Sequence, residues 1–326
     1  MIKTIKFWLD CSRWYALPMS VFSWFVIFMY GLEEDGNFLY GILALIGICF
    51  AHLATNLFDD YNDYQKLQQY VNEHNIVSLP NTQRGKCRYL LNNSVNLKDV
   101  LKVVGIFCLI ALLIGIFLFV SVGKGILLFM GLGAIIVLTY SFLSNIRLSE
   151  FAVALAYGPI LYGGTFYAMT GRIVPEVFVL AIPTMIFTVN LLYTDTFLDK
   201  EIDKKEGKKT LVNFFNSDND ALMFQKYLML FGYLSVFLVG IFDIADWEIF
   251  ITYLTIPLAI DLFESLNLYS ENILSVPNKK WYHFPFEDWD DIKTNRSEPF
   301  MFRMYQARNL MIYFSILLAI SIYFDW

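Results

Sequence analysis

Cysteine, histidine and charge are all scarce in this chain. The four cysteines, Cys11, Cys49, Cys87 and Cys108, are scattered without a C-x-x-C pair, and the three histidines, His52, His74 and His283, lie far apart. That scarcity argues against zinc, haem and disulfide-scaffold chemistry. Each cysteine reads as a small core hydrophobe, and His52 reads as a packed polar residue. Charged residues make up only 17% of the 326 positions against 57% hydrophobic, with a mean hydropathy of +0.51. An ordinary soluble domain is therefore excluded. The first apolar stretch is long and lacks a small-residue cleavage pattern, so no cleavable signal peptide is expected. The formal net charge of −6 says little about topology, which depends on Lys and Arg rather than on net charge. No nucleic-acid partner is expected.

What is abundant is apolar length. A membrane-spanning helix needs about 20 mostly apolar residues, and nine stretches qualify: Trp14–Gly31, Phe38–Phe58, Val100–Val122, Gly125–Phe142, Phe151–Thr170, Val177–Leu198, Tyr227–Ile244, Trp247–Leu266 and a short Leu310–Tyr323. The expected fold is an all-α, multi-pass integral membrane bundle of nine helices, one domain over residues 1–326, in a cell (inner) membrane. With the N-terminus inside and the spans alternating, all 24 Lys and Arg except Lys124 and Arg172 fall on the cytoplasmic side, as the positive-inside rule demands. Connections on that side are long, at residues 64–99, 200–226 and 267–309, and those opposite are short. Long ordered loops in compact proteins are usually functional. These are expected to form a cytoplasmic cap that keeps water from a reactive intermediate.

Two acidic clusters stand where apolar helices end on that same side: Asn56, Asp59, Asp60, Asn62 and Asp63, then Asp195, Asp199 and Asp203. Carboxylates so close to lipid are costly, so they imply a cation or a function. At ~3.6 residues per turn, Asn56, Asp60 and Asp63 share one helical face, as do the three later aspartates. Hard oxygen columns of this kind suit Mg²⁺, which takes one or two protein carboxylates and completes its shell with phosphates and water. Basic residues follow each column, Arg84, Lys86 and Arg88 after the first and Lys208 and Lys209 after the second. They are the groups that would hold the remaining oxygens of a diphosphate.

These residues resemble the UbiA superfamily of intramembrane prenyltransferases. Thr55-Asn56-Leu57-Phe58-Asp59-Asp60-Tyr61-Asn62-Asp63-Tyr64 is similar to the family's first motif, with the spacing of the dihydroxynaphthoate-prenylating branch. The D-x-x-x-D of Asp199 and Asp203, followed by Gly207, Lys208, Thr210 and Leu211, is similar to the second. Tyr140-Ser141, Arg147-Leu148-Ser149-Glu150, Gly158-Pro159 and Gly163-Gly164-Thr165 with Tyr167 resemble the intervening region of that branch. The chain departs from the family pattern at Asn93, in place of a loop glycine, and at Asp195, where an Asn is common. Its 267–309 segment is longer and more aromatic.

The resemblance implies a Mg²⁺-dependent transfer of a prenyl group from an allylic prenyl diphosphate to a small aromatic acceptor, best read as 1,4-dihydroxy-2-naphthoate in menaquinone biosynthesis. Asn56, Asp60, Asp63, Asp199 and Asp203 would be metal ligands, the four aspartates carrying catalysis, with Asp59 and Asp195 as further or supporting ligands. Arg88, Lys208 and Lys209 would bind diphosphate, with Arg84 and Lys86 assisting, and Tyr140 and Arg147 would bind the acceptor. The prenyl tail would lie among apolar helices in the bilayer. Three other readings stand beside this one. An enzyme of the same type could use another acceptor in meroterpenoid metabolism. A cation-coupled transporter would place acids at mid-bilayer depth and show an inverted repeat. Asp59 to Asp63 also reads as the D-D-x-x-D of soluble prenyl diphosphate synthases, which nine spans oppose.

Overall fold

A computed structural model describes residues 2–74, 87–92, 94–205, 209–242, 244 and 246–323. Among them there are helices and no strands. In chain order these are α1 (Ile2–Cys11), α2 (Pro18–Glu33), α3 (Phe38–His74), α4 (Arg88–Leu91), α5 (Leu97–Val122), α6 (Gly125–Asn145), α7 (Ser149–Leu155), α8 (Leu161–Thr170), α9 (Pro175–Leu198), α10 (Lys200–Lys205), α11 (Asp218–Ile241), α12 (Ile256–Ser270), α13 (Trp289–Thr294) and α14 (Glu298–Tyr323). Nine helical segments among the described residues are long and apolar enough to cross a membrane, each at the place the hydropathy predicts.

Four details differ from that expectation. The last span is not short, because α14 begins at Glu298 with Pro299 in its first turn, a position that proline favours. Arg303, Gln306 and Asn309 masked it in the sequence, since they lower local hydropathy. In the fold these residues are fully buried and face the bundle. Arg303 Nε donates to Ser265 O at 2.6 Å, Ser265 Oγ donates to Gln306 Oε1 at 2.7 Å, and Asn309 Nδ2 donates to His283 O at 2.7 Å. Second, α3 does not stop at the acidic cluster but continues to His74, carried by good helix formers such as Gln65, Lys66, Leu67 and Gln68. Third, the fifth span is broken between α7 and α8 by a π-helical turn, Ala156–Ile160. Pro159 supplies no N–H and crowds the preceding turn, and Gly158 takes the non-helical geometry, φ −97° and ψ −109°. Fourth, the eighth span starts as a 3-10 helix, Trp247–Thr255, and becomes α-helical next to Pro257.

The core lies where α2, α9, α11, α12 and α14 meet. Phe187 packs on Phe314 with ring centroids 4.2 Å apart, and α9 is buried along most of its length. Helices α5 and α6 instead expose Leu109, Leu112, Leu113 and Leu138, which is the composition of a lipid-facing surface. The aromatic segment after α12 is bound to the bundle. Asp261 accepts from Lys280 Nζ (2.8 Å) and Tyr282 OH (2.8 Å), and its Oδ2 meets His283 Nε2 at 2.7 Å. Phe286 stacks on Phe302 of α14.

Helices α3 and α9 form the second and sixth spans of an alternating bundle, so they run in the same direction and their C-terminal ends reach the same face. Helix α2 packs against both.

Candidate active site

The first acidic column is organised by the turn that precedes α2. Arg13, in a left-handed backbone conformation (φ 57°), places Nη2 3.1 Å from Asp60 Oδ1 and 3.6 Å from Asp59 Oδ2 and donates to Asn56 O at 3.0 Å. Asn56 Nδ2 returns a hydrogen bond to Ser12 O at 3.0 Å. Burial opposes the charge on Arg13, but Asp60 and then Asp59 outweigh it and hold the guanidinium above its ordinary pKa range. From the other side, the Cys87 backbone N–H donates to Asp60 Oδ2 at 3.3 Å and its thiol to Asp60 O at 3.2 Å. Ser141 of α6 donates to Asp59 Oδ1 at 3.1 Å and accepts from Asn62 Nδ2 at 3.2 Å. Burial, then the charges of Asp60 and Asp10, push the Cys11 thiol up to about 12. Cys11 and Cys87 are buried core residues, as expected, whereas Cys108 is exposed and departs from that expectation.

The second column survives the end of α9. Asp199 N donates to Asp195 O at 3.2 Å and Asp203 N to Asp199 O at 2.9 Å, so the helical repeat carries through the junction into α10. The backbone repeat that the four-residue spacing follows is therefore continuous through Asp195, Asp199 and Asp203. Asp199 and Asp203 are 2% and 3% exposed, much like Asp60 at 1% and Asp59 at 6%. Buried acids of this kind require compensating cations or hydrogen bonds.

Tyr140 lies near the end of α6. It is within electrostatic reach of Asp59, Arg13, Glu150 and Asp195, and so of acids from both columns. Glu150, at the start of α7, accepts from Ser149 Oγ at 2.7 Å and meets the Thr196 side chain of α9. Arg147, in the α6–α7 turn, lies 5.6 Å from the Phe214 ring. It also lines an open pocket of about 320 Å³ together with Lys200, Lys204 and Lys209. Asp199 and Asp203 are not among that pocket's walls, so it adjoins the second column without containing it.

The sequence-predicted residues divide accordingly. Asp59, Asp60 and Asn62 join in one group through the Arg13 and Ser141 side chains, Asp195, Asp199 and Asp203 follow one another on a continuous run of backbone bonds, and Tyr140 is within electrostatic reach of acids from both. Asp63 sits a turn beyond Asp60 and is half-buried. Lys209 and Arg147, expected at the diphosphate and at the acceptor, share one basic pocket. Arg84, Lys86 and Lys208 lie outside the described residues, and of Arg88 only its place in α4 is described. Sequence reasoning missed Arg13, which read as one more positive-inside charge, although its position just before the first span was a usable signal. It also assigned Cys87 to a core and did not foresee its contacts with Asp60.

The model of the UbiA prenyltransferase family matches residues 19–284. A solved structure described as digeranylgeranylglyceryl phosphate synthase in membranes is similar over 98% of this chain and 99% of its own, with a TM-score of 0.61 and 15% identity, a likeness of fold. No curated protein sequence matches the chain. A family match over most of the chain, on a fold with nine membrane-length helices, sets the transporter and soluble-synthase readings aside. The chain belongs to the UbiA prenyltransferase family and is an integral-membrane prenyltransferase.

Proposed function

We propose that the two carboxylate columns grip the diphosphate of an allylic prenyl donor through Mg²⁺ on the cytoplasmic side, and that the prenyl group passes to a small aromatic acceptor, best read as 1,4-dihydroxy-2-naphthoate. The observation that carries this reading is Tyr140, within reach of acids from both columns. The donor set fits the ion. The oxygens that Asn56, Asp60, Asp63, Asp199 and Asp203 offer are hard ligands, the type that Mg²⁺ takes alongside phosphate and water. When bound, Mg²⁺ would neutralise diphosphate oxygens and make pyrophosphate a better leaving group.

The protein's own residues do the rest. Asp60, Asp63, Asp199 and Asp203, with Asn56, would hold the ion, while Asp59 and Asp195 support them. Arg13 pairs with Asp60 and Asp59 and orients them. Arg88, Lys208 and Lys209 would meet phosphate oxygens. The prenyl tail would lie among the apolar helices, which would keep water from the allylic cation. The pocket of Arg147, Lys200, Lys204 and Lys209, whose lining also carries Glu201 and Asp218, the latter paired with Lys200, keeps a positive balance that favours an anionic acceptor, such as the naphthoate carboxylate. A phosphate-bearing acceptor, as the name of the structural neighbour implies for that protein, is the second reading, and the same pocket would serve it.

The test is turnover by purified protein. A panel of allylic diphosphates and acceptors, one carboxylated, one phosphorylated and one neutral, is followed by mass spectrometry with and without EDTA. Prenylated naphthoate formed only with Mg²⁺ is expected. Product from the phosphorylated acceptor alone would move the reading to the second alternative, and metal-independent turnover would remove the ion from it.

A further inference from the structure

We infer that His52 is the group that takes the acceptor's proton as the new prenyl bond forms, an inference that rests on the prenyl-transfer reading above. His52 is one turn before Asn56 on the same face of α3, about 6 Å deeper into the bundle. Two separate elements converge on its ring. Ser20 Oγ of α2 is 2.8 Å from Nδ1, and Tyr157 OH of the π-helical turn is 3.0 Å from Nδ1 and 3.4 Å from Nε2. Tyr157 is also tied to Ser20 and within reach of Tyr140, the residue that senses both acidic columns. His52, Tyr157 and Tyr140 all keep partial exposure. The set lies one helical turn deeper than Asn56, where the first acidic column begins.

An imidazole at that depth is costly and is retained for a task. With Nδ1 carrying its hydrogen toward Ser20, Nε2 keeps its lone pair and meets the Tyr157 hydroxyl at 3.4 Å. This is the arrangement by which one ring nitrogen's bond sets the other's role. The need for such a group follows from the reaction. The donor's C1–O bond breaks and its electron pair leaves with pyrophosphate. The acceptor atom supplies the pair for the new bond to C1. The acceptor's C–H or O–H proton then passes to Nε2 and later to solvent, while the bonding pair it leaves behind returns to the acceptor. The π turn explains its own presence in this scheme, because π-bulges inside helices often mark functional sites. Here the turn directs Tyr157 at the imidazole.

The experiment separates donor ionisation from transfer. Full-length protein in detergent with Mg²⁺, geranylgeranyl diphosphate and 1,4-dihydroxy-2-naphthoate is assayed for prenylated product, and for pyrophosphate released without acceptor. In His52→Gln and His52→Ala, transfer kcat should fall at least about 100-fold. Acceptor KM and acceptor-independent pyrophosphate release should change by less than about threefold. Tyr157→Phe should slow transfer about tenfold with the same selectivity. Wild-type transfer in any of the three variants would overturn the proposal. So would an equal loss of transfer and pyrophosphate release, which a merely structural tie between α2 and α3 predicts, or a rise in acceptor KM alone. Wild-type protein that releases no pyrophosphate at all would sink the prenyl-transfer reading and this inference with it.

Discussion

At the scale of single residues, the site is a balance of buried acids and few cations. Asp60 and Asp199 are each nearly inaccessible, so their retention is costly unless they hold something. Asp60→Ala and Asp199→Ala should each abolish turnover, by at least about 1000-fold if the carboxylate acts on the leaving group, while the protein still inserts and elutes as a folded species. Full activity in either variant would take that residue out of the site. Arg13 is the structural counterpart of these acids. Arg13→Ala leaves Asp60 and Asp59 without their ion pair, and the loss should be on the order of 3–5 kcal/mol, read as a lowered thermal midpoint in detergent. Arg13→Lys should recover only part of it, because one ammonium cannot reproduce the fork that meets Asp60, Asp59 and Asn56 O together. The aspartates were legible because their spacing of three and four residues is a helical period. Arg13 was not, since its partner lies 43 positions further along the chain and no local pattern joins the two.

At the scale of elements, hydropathy located the spans but not their irregularities. The break between α7 and α8 depends on Gly158 and Pro159, residues that the sequence displays, yet only the fold shows Tyr157 turned toward α3. Close packing sets the position of α8 on α6. A Cβ built on Gly163 would meet Phe129 ring atoms at 2.4 and 2.6 Å and Phe178 at 3.2 Å. Gly163→Val should therefore force the two helices apart and cost about 1–3 kcal/mol. A combined Gly163→Val, Phe129→Ala variant should be more stable than the sum of the two single losses. Additive losses in that double-mutant cycle would show that the contact does not set the helix separation. The polar residues of α14 make the complementary point. Arg303, Gln306 and Asn309 weakened the apolar signal of the ninth span because hydropathy counts a side chain without knowing which way it faces.

At the scale of the whole molecule, the asymmetric distribution of Lys and Arg predicts a single orientation. In a cysteine-free background, a cysteine at Lys209 should react with an impermeant thiol reagent only in inverted vesicles, and one at Lys124 only in intact cells. The opposite pattern would invert the bundle and move both acidic columns to the outer face. Nine spans, two acidic columns and the membrane location were all determined by the sequence itself, because each rests on a short-range quantity, either apolar length or helical period. The tertiary structure alone decided that Arg13 pairs with Asp59 and Asp60, that Tyr140 is within electrostatic reach of acids from both columns, that Arg147 and Lys209 share a pocket, and that Ser20 and Tyr157 close on His52. Each of those joins residues from different helices, and the lateral order of helices in a bundle is settled by how their side chains pack, which no periodicity along one chain encodes.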